Sequence, residues 1–597
     1  MTQLKKREEI EEKFTWAMQD MCPSDERWEE ELEELKELIK KYSEFEGKLD
    51  SSAGTLCEFL KFEDKVGLKC ERIYVYANQK LHENMAEAKY QDYAAKAQLI
   101  LVQLSTVNAF AEPEILSIPW ETLEHFLQEN EELRLYETVL RRLFRRKEHC
   151  LSEQEEKIIA KAGEMASASS DIFDMFNDAD AKFGKIKDET GEWKEVTHGN
   201  YTVLMESQNR EVRKAAFQAM YQTYTDYRNT LGAMYAANAK QLKFYAEIRN
   251  YNSALEMQLF DSNIPVSVYD NLIEAVHEYL PAMYKYVKIR KRALGVDELH
   301  MYDVYVPVTK EVDMKISYDK AKEMVAEGLA PMGEEYISHL KEGFENRWID
   351  VCENQGKRSG AYSWGVYGVH PYVLLNYQEN LNNVFTLAHE MGHALHSYYS
   401  DKTQPYVYAG YKIFVAEVAS TCNESLLIRD LLKKCTDKQE KIYLLNYFID
   451  QFKGTMFRQT MFAEFEKITH EMCAKGETLN ADSLSQVYHD LNKLYFGEEM
   501  ISDDEIAMEW ARIPHFYTPF YVYQYATGFA AAIALSGRIL ELGEQGVADY
   551  MKFLTGGCSK DPIELLKLAG VDMTEKTAVC NALSMFAELV DELDSLI

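Results

Sequence analysis

The chain has 597 residues, of which 46% are hydrophobic and 28% charged, a globular composition that excludes disordered and fibrous classes. Asp and Glu number 99 against 66 Lys and Arg, and the resulting net charge of −33 repels polyanions, so neither nucleic acid nor a membrane is an expected partner. The ten cysteines form no C-x-x-C pair, which argues against cysteine-based zinc sites and suits a reducing compartment.

In chain order, MTQLKKREEIEEKF offers no apolar stretch for a signal peptide. Ser24 then caps a helix carrying Trp28, Leu32, Leu35 and Ile39 at helical spacing. A long helix is predicted from Val66 to Ala111, stopping before Pro113. The basic run Arg141, Arg142, Arg145, Arg146, Lys147 reads as a solvated helix face balancing nearby acids. Ser152 and Glu155 form a capping box ahead of Ile158 and Ile159. Between Gly184 and Asn200 turns and short strands interrupt, marking a boundary between an N-terminal helical domain, 1–190, and a second domain, 191–597. Helices resume with Arg210 to Tyr227. From Trp348 to Tyr377 the β-prone runs WIDVC, AYSW and PYVLLNY, separated by Gly-rich turns, predict a small sheet. No run approaches the roughly 20 apolar residues of a membrane span. Phe529 to Leu535 is the best candidate and far too short, so the expected location is cytoplasmic.

Residues 389–393 read His-Glu-Met-Gly-His within a helix predicted for Asn382 to Ser400. Residues four apart share a helix face, so His389 and His393 can present imidazoles to one metal ion. Glu390, one position round, lies beside the metal and can take a proton from its water. With 14 histidines and 99 acids in 597 positions, chance supplies this pattern about 0.05 times. A helix-interior glycine costs about 1 kcal/mol relative to alanine, so Gly392 implies that something approaches the helix closely. The third-histidine pattern H-E-x-x-H-x-x-G-x-x-H fails, since His396 and Tyr399 occupy its last two defined places. His396 reads as a supporting or packing residue. After the break at Pro405, a helix is predicted for Tyr411 to Lys434. There Glu417 lies among Phe414, Val415, Ala416, Val418 and Ala419, where an unpaired carboxylate is costly, and it is the expected third ligand. Thr421 and Glu424 share its face, and Glu424 is a candidate to brace a ligand histidine. Ligand type favours zinc over cobalt or manganese. The segment His515 to Tyr525, HFYTPFYVYQY, packs one histidine and four tyrosines together. Two readings stay open for it, a core stripe and a set of donors to an oxyanion. Gly528 and the small residues after it predict a hinge-like loop leading into a helix.

These residues resemble the thimet oligopeptidase-like zinc metallopeptidases, most closely their oligoendopeptidase F branch. The carriers are FTLAHEMGHALHSYY at 385–399, FVAEVASTCNE at 414–424 and PHFYTPFYVYQYATG at 514–528. REVRKAAFQAMYQTY at 210–224, RNYNSALE at 249–256 and MYDVYVP at 301–307 support them, and the likeness runs from about residue 115 to the C-terminus. The resemblance implies a mainly α fold, a large two-lobed helical body with a deep substrate channel and a small β-sheet next to the zinc-binding helix. It implies one Zn²⁺ per chain held by His389, His393 and Glu417, Glu390 as general base and acid, and 191–597 as the catalytic domain. His515 and Tyr525 match the related histidine and tyrosine loop best, then Tyr523, while Tyr517 and Tyr521 depend on where a gap falls. The strands between Gly360 and Tyr377 would offer an edge to an extended substrate. The implied activity is a zinc endopeptidase acting on short oligopeptides. A terminus-directed peptidase would need a charged group to grip a free chain end, and none is evident. A structural zinc site would need a fourth protein ligand.

Overall fold

The computed structural model describes residues 4–309 and 314–597, and the chain is 72% helical with only short strands. Of the N-terminal stretch considered above, the first three residues lie outside those described. The fold is mainly α. Two compact units are drawn from interleaved segments, Met1–Glu148, Met314–Leu427 and Leu535–Gly570 in the first, His149–Asp313, Ile428–Ala534 and Val571–Ile597 in the second. The first unit therefore takes residues from both sides of position 190.

In the first unit, the Ser24 hydroxyl accepts the Arg27 N–H and starts the helix Asp25–Ile39, which buries Trp28, Leu32, Leu35 and Ile39 as their spacing requires. The expected single helix over 66–111 is instead three: Ala53–Glu83, Ala88–Val107 and Ala111–Ser117. Tertiary pairing causes the first break, because Asn84 turns extended and the Met85 N–H donates to Gly356 O at 2.6 Å. Pro113 does not stop a helix. It sits in the first turn of the third one, where a backbone N–H has no helical partner to lose. The basic run does balance acids, remote ones included: Arg142 and Arg145 clamp Asp561 at 3.0 and 3.1 Å, Arg141 pairs with Glu137 at 2.8 Å and Arg146 with Glu112 at 3.2 Å.

The sheet near the site is as predicted in place and small in extent. Its strands run in the order Ile349–Asp350, Tyr372–Leu374, Tyr362–Trp364, the first pair parallel and the second antiparallel. The central strand is wholly buried, and Tyr362–Trp364 forms one edge. Asp350 on this sheet is fully buried and neutralised by Lys357 at 2.7 Å and by Arg7, which ties the N-terminal segment down. Removing one member of this buried charge cluster would leave an uncompensated charge, which is strongly destabilising.

In the second unit, Lys185–Lys187 and Trp193–Glu195 pair antiparallel, as the turn-rich stretch suggested. The chain returns to helix earlier than expected, at His198–Met205, because Thr197 and Asn200 cap each other. The Ser152–Glu155 box is present too. All ten cysteines are free thiols. Among the described residues one stretch, Ala88–Ser117, is long and apolar enough by composition to cross a membrane, and 17% of its apolar 18-residue window is buried. It contains no unbroken apolar run of that length, because Lys89, Asp92, Lys96, Glu112 and Glu114 as well as uncharged Gln, Ser, Thr and Asn interrupt it.

Candidate active site

Asn380 caps the helix Leu381–Thr403 by accepting the Asn383 N–H at 2.9 Å, and Val384, Leu387, Met391 and Leu395 bury its inner face. That burial fixes the rotation of the helix and places His389 and His393 on one side, their Nε2 atoms 3.2 Å apart. A loop through Pro405 reverses the chain into the helix Ile413–Lys434. From it the Glu417 Oε2 reaches 3.2 Å from His389 Nε2 and 3.3 Å from His393 Nε2. One ligating atom from each of these three residues lies within 4.8 Å of the others, an arrangement that can hold a metal ion. Two imidazole nitrogens and a carboxylate oxygen are the donor chemistry of a three-ligand zinc site.

The electrostatics match a cation site. Burial pushes the Glu417 carboxyl up, but bonds from His389 and His393 outweigh it and hold the pKa well below the usual carboxylate range. Burial likewise opposes protonation of His389, yet bonds from Glu417 and Glu424 raise its pKa well above the ordinary imidazole value. The Glu424 Oε2 lies 3.2 Å from His389 Nδ1, so it orients the ring by its far nitrogen. Glu390 is 7% exposed, and its Oε2 has no hydrogen-bond partner among the described residues. Burial raises its pKa, which the neighbouring imidazoles only partly oppose.

Gly392 shows what approaches the helix. A Cβ there would lie 2.5 Å from Ser420 Cα and 2.8 Å from Ala419 O, so the backbones of the two ligand-bearing helices touch. Ser420 in turn donates to Glu417 O at 3.0 Å. Gly392→Ala must push the helices apart, an overpacking cost of about 1–3 kcal/mol, and should lower the melting temperature and the metal affinity together. An unchanged metal affinity would mean that the contact does not set the ligand spacing.

His396 packs rather than ligates. Its ring stacks on Tyr411 at 3.9 Å, and burial pushes its pKa down to about 3. The His515–Tyr525 segment belongs to the second unit. His515 Nε2 and Tyr525 Oη are 3.4 Å apart, and Tyr521 packs edge-on to Tyr525 at 5.5 Å. Tyr523 points elsewhere: it is 2% exposed, with its ring 5.1 Å from Tyr269. Tyr517 stacks on Phe173 at 4.3 Å. The core-stripe reading fits Tyr523, which is buried, while His515 is exposed and Tyr525 partly so. The expected hinge-like loop at Gly528 is absent, since Tyr523–Leu542 is continuous helix and the irregular stretch precedes it.

A histidine pair on one helix, closed by a glutamate from the next and flanked by a buried carboxyl, defines a metallopeptidase. Comparison with known proteins agrees: the model of peptidase family M3 matches residues 203–585, and that of oligopeptidase F matches 114–183. The chain is 48% identical to oligopeptidase PepF of Bacillus subtilis, over 100% of this chain and 89% of that one. It is 43% identical to an oligoendopeptidase F homolog of Lactococcus lactis, over 99% of both. Among solved structures, oligoendopeptidase-F from Enterococcus faecium aligns with a TM-score of 0.75 at 37% identity, covering 96% of this chain and 99% of that one. A Chlamydophila abortus structure described as a peptidase aligns with a TM-score of 0.94 at 34% identity, covering 100% of both. The chain belongs to peptidase family M3, in its oligoendopeptidase F branch, and is a metalloendopeptidase.

Proposed function

We propose that the chain hydrolyses internal bonds of short oligopeptides with one Zn²⁺ held by His389, His393 and Glu417. The observation that carries this is the convergence of those three donors beside a buried Glu390 whose Oε2 has no hydrogen-bond partner among the described residues. Bound there, the ion would polarise the scissile carbonyl and acidify water. Glu390 is the general base, taking the proton of the attacking water, and then the general acid, passing it to the leaving nitrogen. Its raised pKa suits both halves of that task. Glu424 holds His389 by Nδ1, which leaves Nε2 turned toward Glu417 and available to a metal ion. We assign stabilisation of the oxyanion to His515 and Tyr525, which are paired and accessible, and not to the buried Tyr523. The edge strand Tyr362–Trp364 supports a reading in which an extended peptide adds as a further strand. The free thiols of all ten cysteines support a cytoplasmic setting.

Mass mapping of the products from unprotected peptides of graded length tests this. Internal cuts, with cleavage vanishing for folded proteins, are expected. Stepwise loss of single residues or dipeptides from one end would replace the endopeptidase reading by a terminus-directed one.

A further inference from the structure

The helix Arg458–Ala474 buries Glu466 completely. Its Oε1 accepts the Phe520 N–H at 2.9 Å, and its Oε2 has no hydrogen-bond partner among the described residues. Burial pushes the carboxyl pKa well above its ordinary value, with the Phe520 N–H pulling only partly the other way. A buried carboxyl without a cation is an expensive way to fill space, so what it holds is informative.

Phe520 has φ +62, a left-handed conformation that disfavours a residue with a Cβ. Backbone of this kind persists only where its surroundings over-determine it. Here the Glu466 bond fixes the backbone, while Tyr269 at 5.9 Å and His470 at 4.8 Å fix the ring, which is buried. The left-handed residue lies between His515 and Tyr525, and Tyr521 follows it directly.

We propose that Glu466 is a positioning residue for peptide hydrolysis: by accepting the Phe520 N–H, it holds the left-handed turn that sets His515 and Tyr525 against each other. The proposal rests on the assignment of those two residues to the oxyanion. Among the described residues Glu466 hydrogen-bonds to neither of them, and it is not one of the three candidate metal donors.

The test is a set of variants read by kcat, KM and metal content. Glu466→Met removes the acceptor at similar volume and should lower kcat at least about tenfold, with KM within about threefold and metal content unchanged. Glu466→Gln keeps an acceptor and should stay within about twofold of the parent. In a Tyr525→Phe background, where the pair is already broken, Glu466→Met should cost less than about threefold more, since residues acting as one unit are not additive. A full multiplicative loss in that background, or Gln as damaging as Met, would make Glu466 a packing residue and overturn the proposal. If Tyr525→Phe and His515→Ala both leave kcat unchanged, the oxyanion assignment falls and takes the proposal with it. If those two lower kcat while Glu466→Met does not, the positioning role alone falls. Should Glu466→Met not fold, hydrogen exchange at the Phe520 amide of the unaltered enzyme decides. Protection of about a hundredfold supports the hold, and exchange at the rate of an open loop overturns it.

Discussion

Glu390→Gln should retain a full complement of metal and lose about 10²–10⁴-fold in kcat, the range supplied by a positioned general base. A thousandfold loss corresponds to roughly 4 kcal/mol of transition-state stabilisation. Glutamine has the same shape, so the packing of Leu387, Met391 and Leu395 around the helix is untouched, as are the three donor atoms. What disappears is the capacity to accept and return a proton. The variant should be no less stable than the parent, because a neutral amide is cheaper to bury than a carboxylate in a site this closed. Metal analysis alongside single-turnover cleavage separates the possibilities. Full metal with a rate within tenfold of the parent would remove Glu390 from the chemistry, whereas lost metal would make it a structural member of the site.

Glu424→Leu should weaken zinc binding by about 10–100-fold, the usual cost of removing a group that orients a ligand histidine. That is about 1.4–2.8 kcal/mol of binding free energy. The origin is local: Glu424 meets His389 Nδ1 at 3.2 Å, and without it the ring is free to turn its Nε2 away from Glu417 and His393. Glu424→Gln keeps an oxygen within reach and should fall between the two. Because Glu424 acts on the ligand and not on the substrate, saturating zinc should restore kcat to within a few fold of the parent. Competition titration against a chromophoric chelator measures the affinity. An unchanged affinity, or a kcat defect that zinc cannot rescue, would contradict the bracing role.

The His389, His393 and Glu417 cluster that can hold a metal ion, and Glu424 beside it, were legible because each residue obeys a local rule. His389 and His393 follow from helical spacing, Glu417 from the cost of a lone carboxylate in an apolar run, and Glu424 from lying two turns beyond it. Gly392 was legible for the same reason, and the close approach it implied is the Ser420 backbone. The features that escaped are set by contacts remote in sequence. The helix break at Asn84 depends on a hydrogen bond to Gly356, and the Arg7–Asp350 pair spans 343 residues. Tyr523 stood ahead of Tyr517 and Tyr521 on resemblance, because its burial against Tyr269 leaves no trace in the HFYTPFYVYQY pattern. The sharp turn that separates these tyrosines sits at Phe520, where no glycine announces it. Interleaving of the two units is likewise invisible to composition, since their segments alternate along a chain of nearly uniform helical texture.

Zinc-dependent internal cleavage is tested most simply on an internally quenched peptide of about ten residues, blocked at both ends. It should be followed before chelation, after chelation and after return of one equivalent of zinc, the stoichiometry of a single three-donor site. Internal cleavage that chelation abolishes and one equivalent restores is the predicted result. Cleavage indifferent to the chelator, or none from protein shown to carry zinc, would contradict the account.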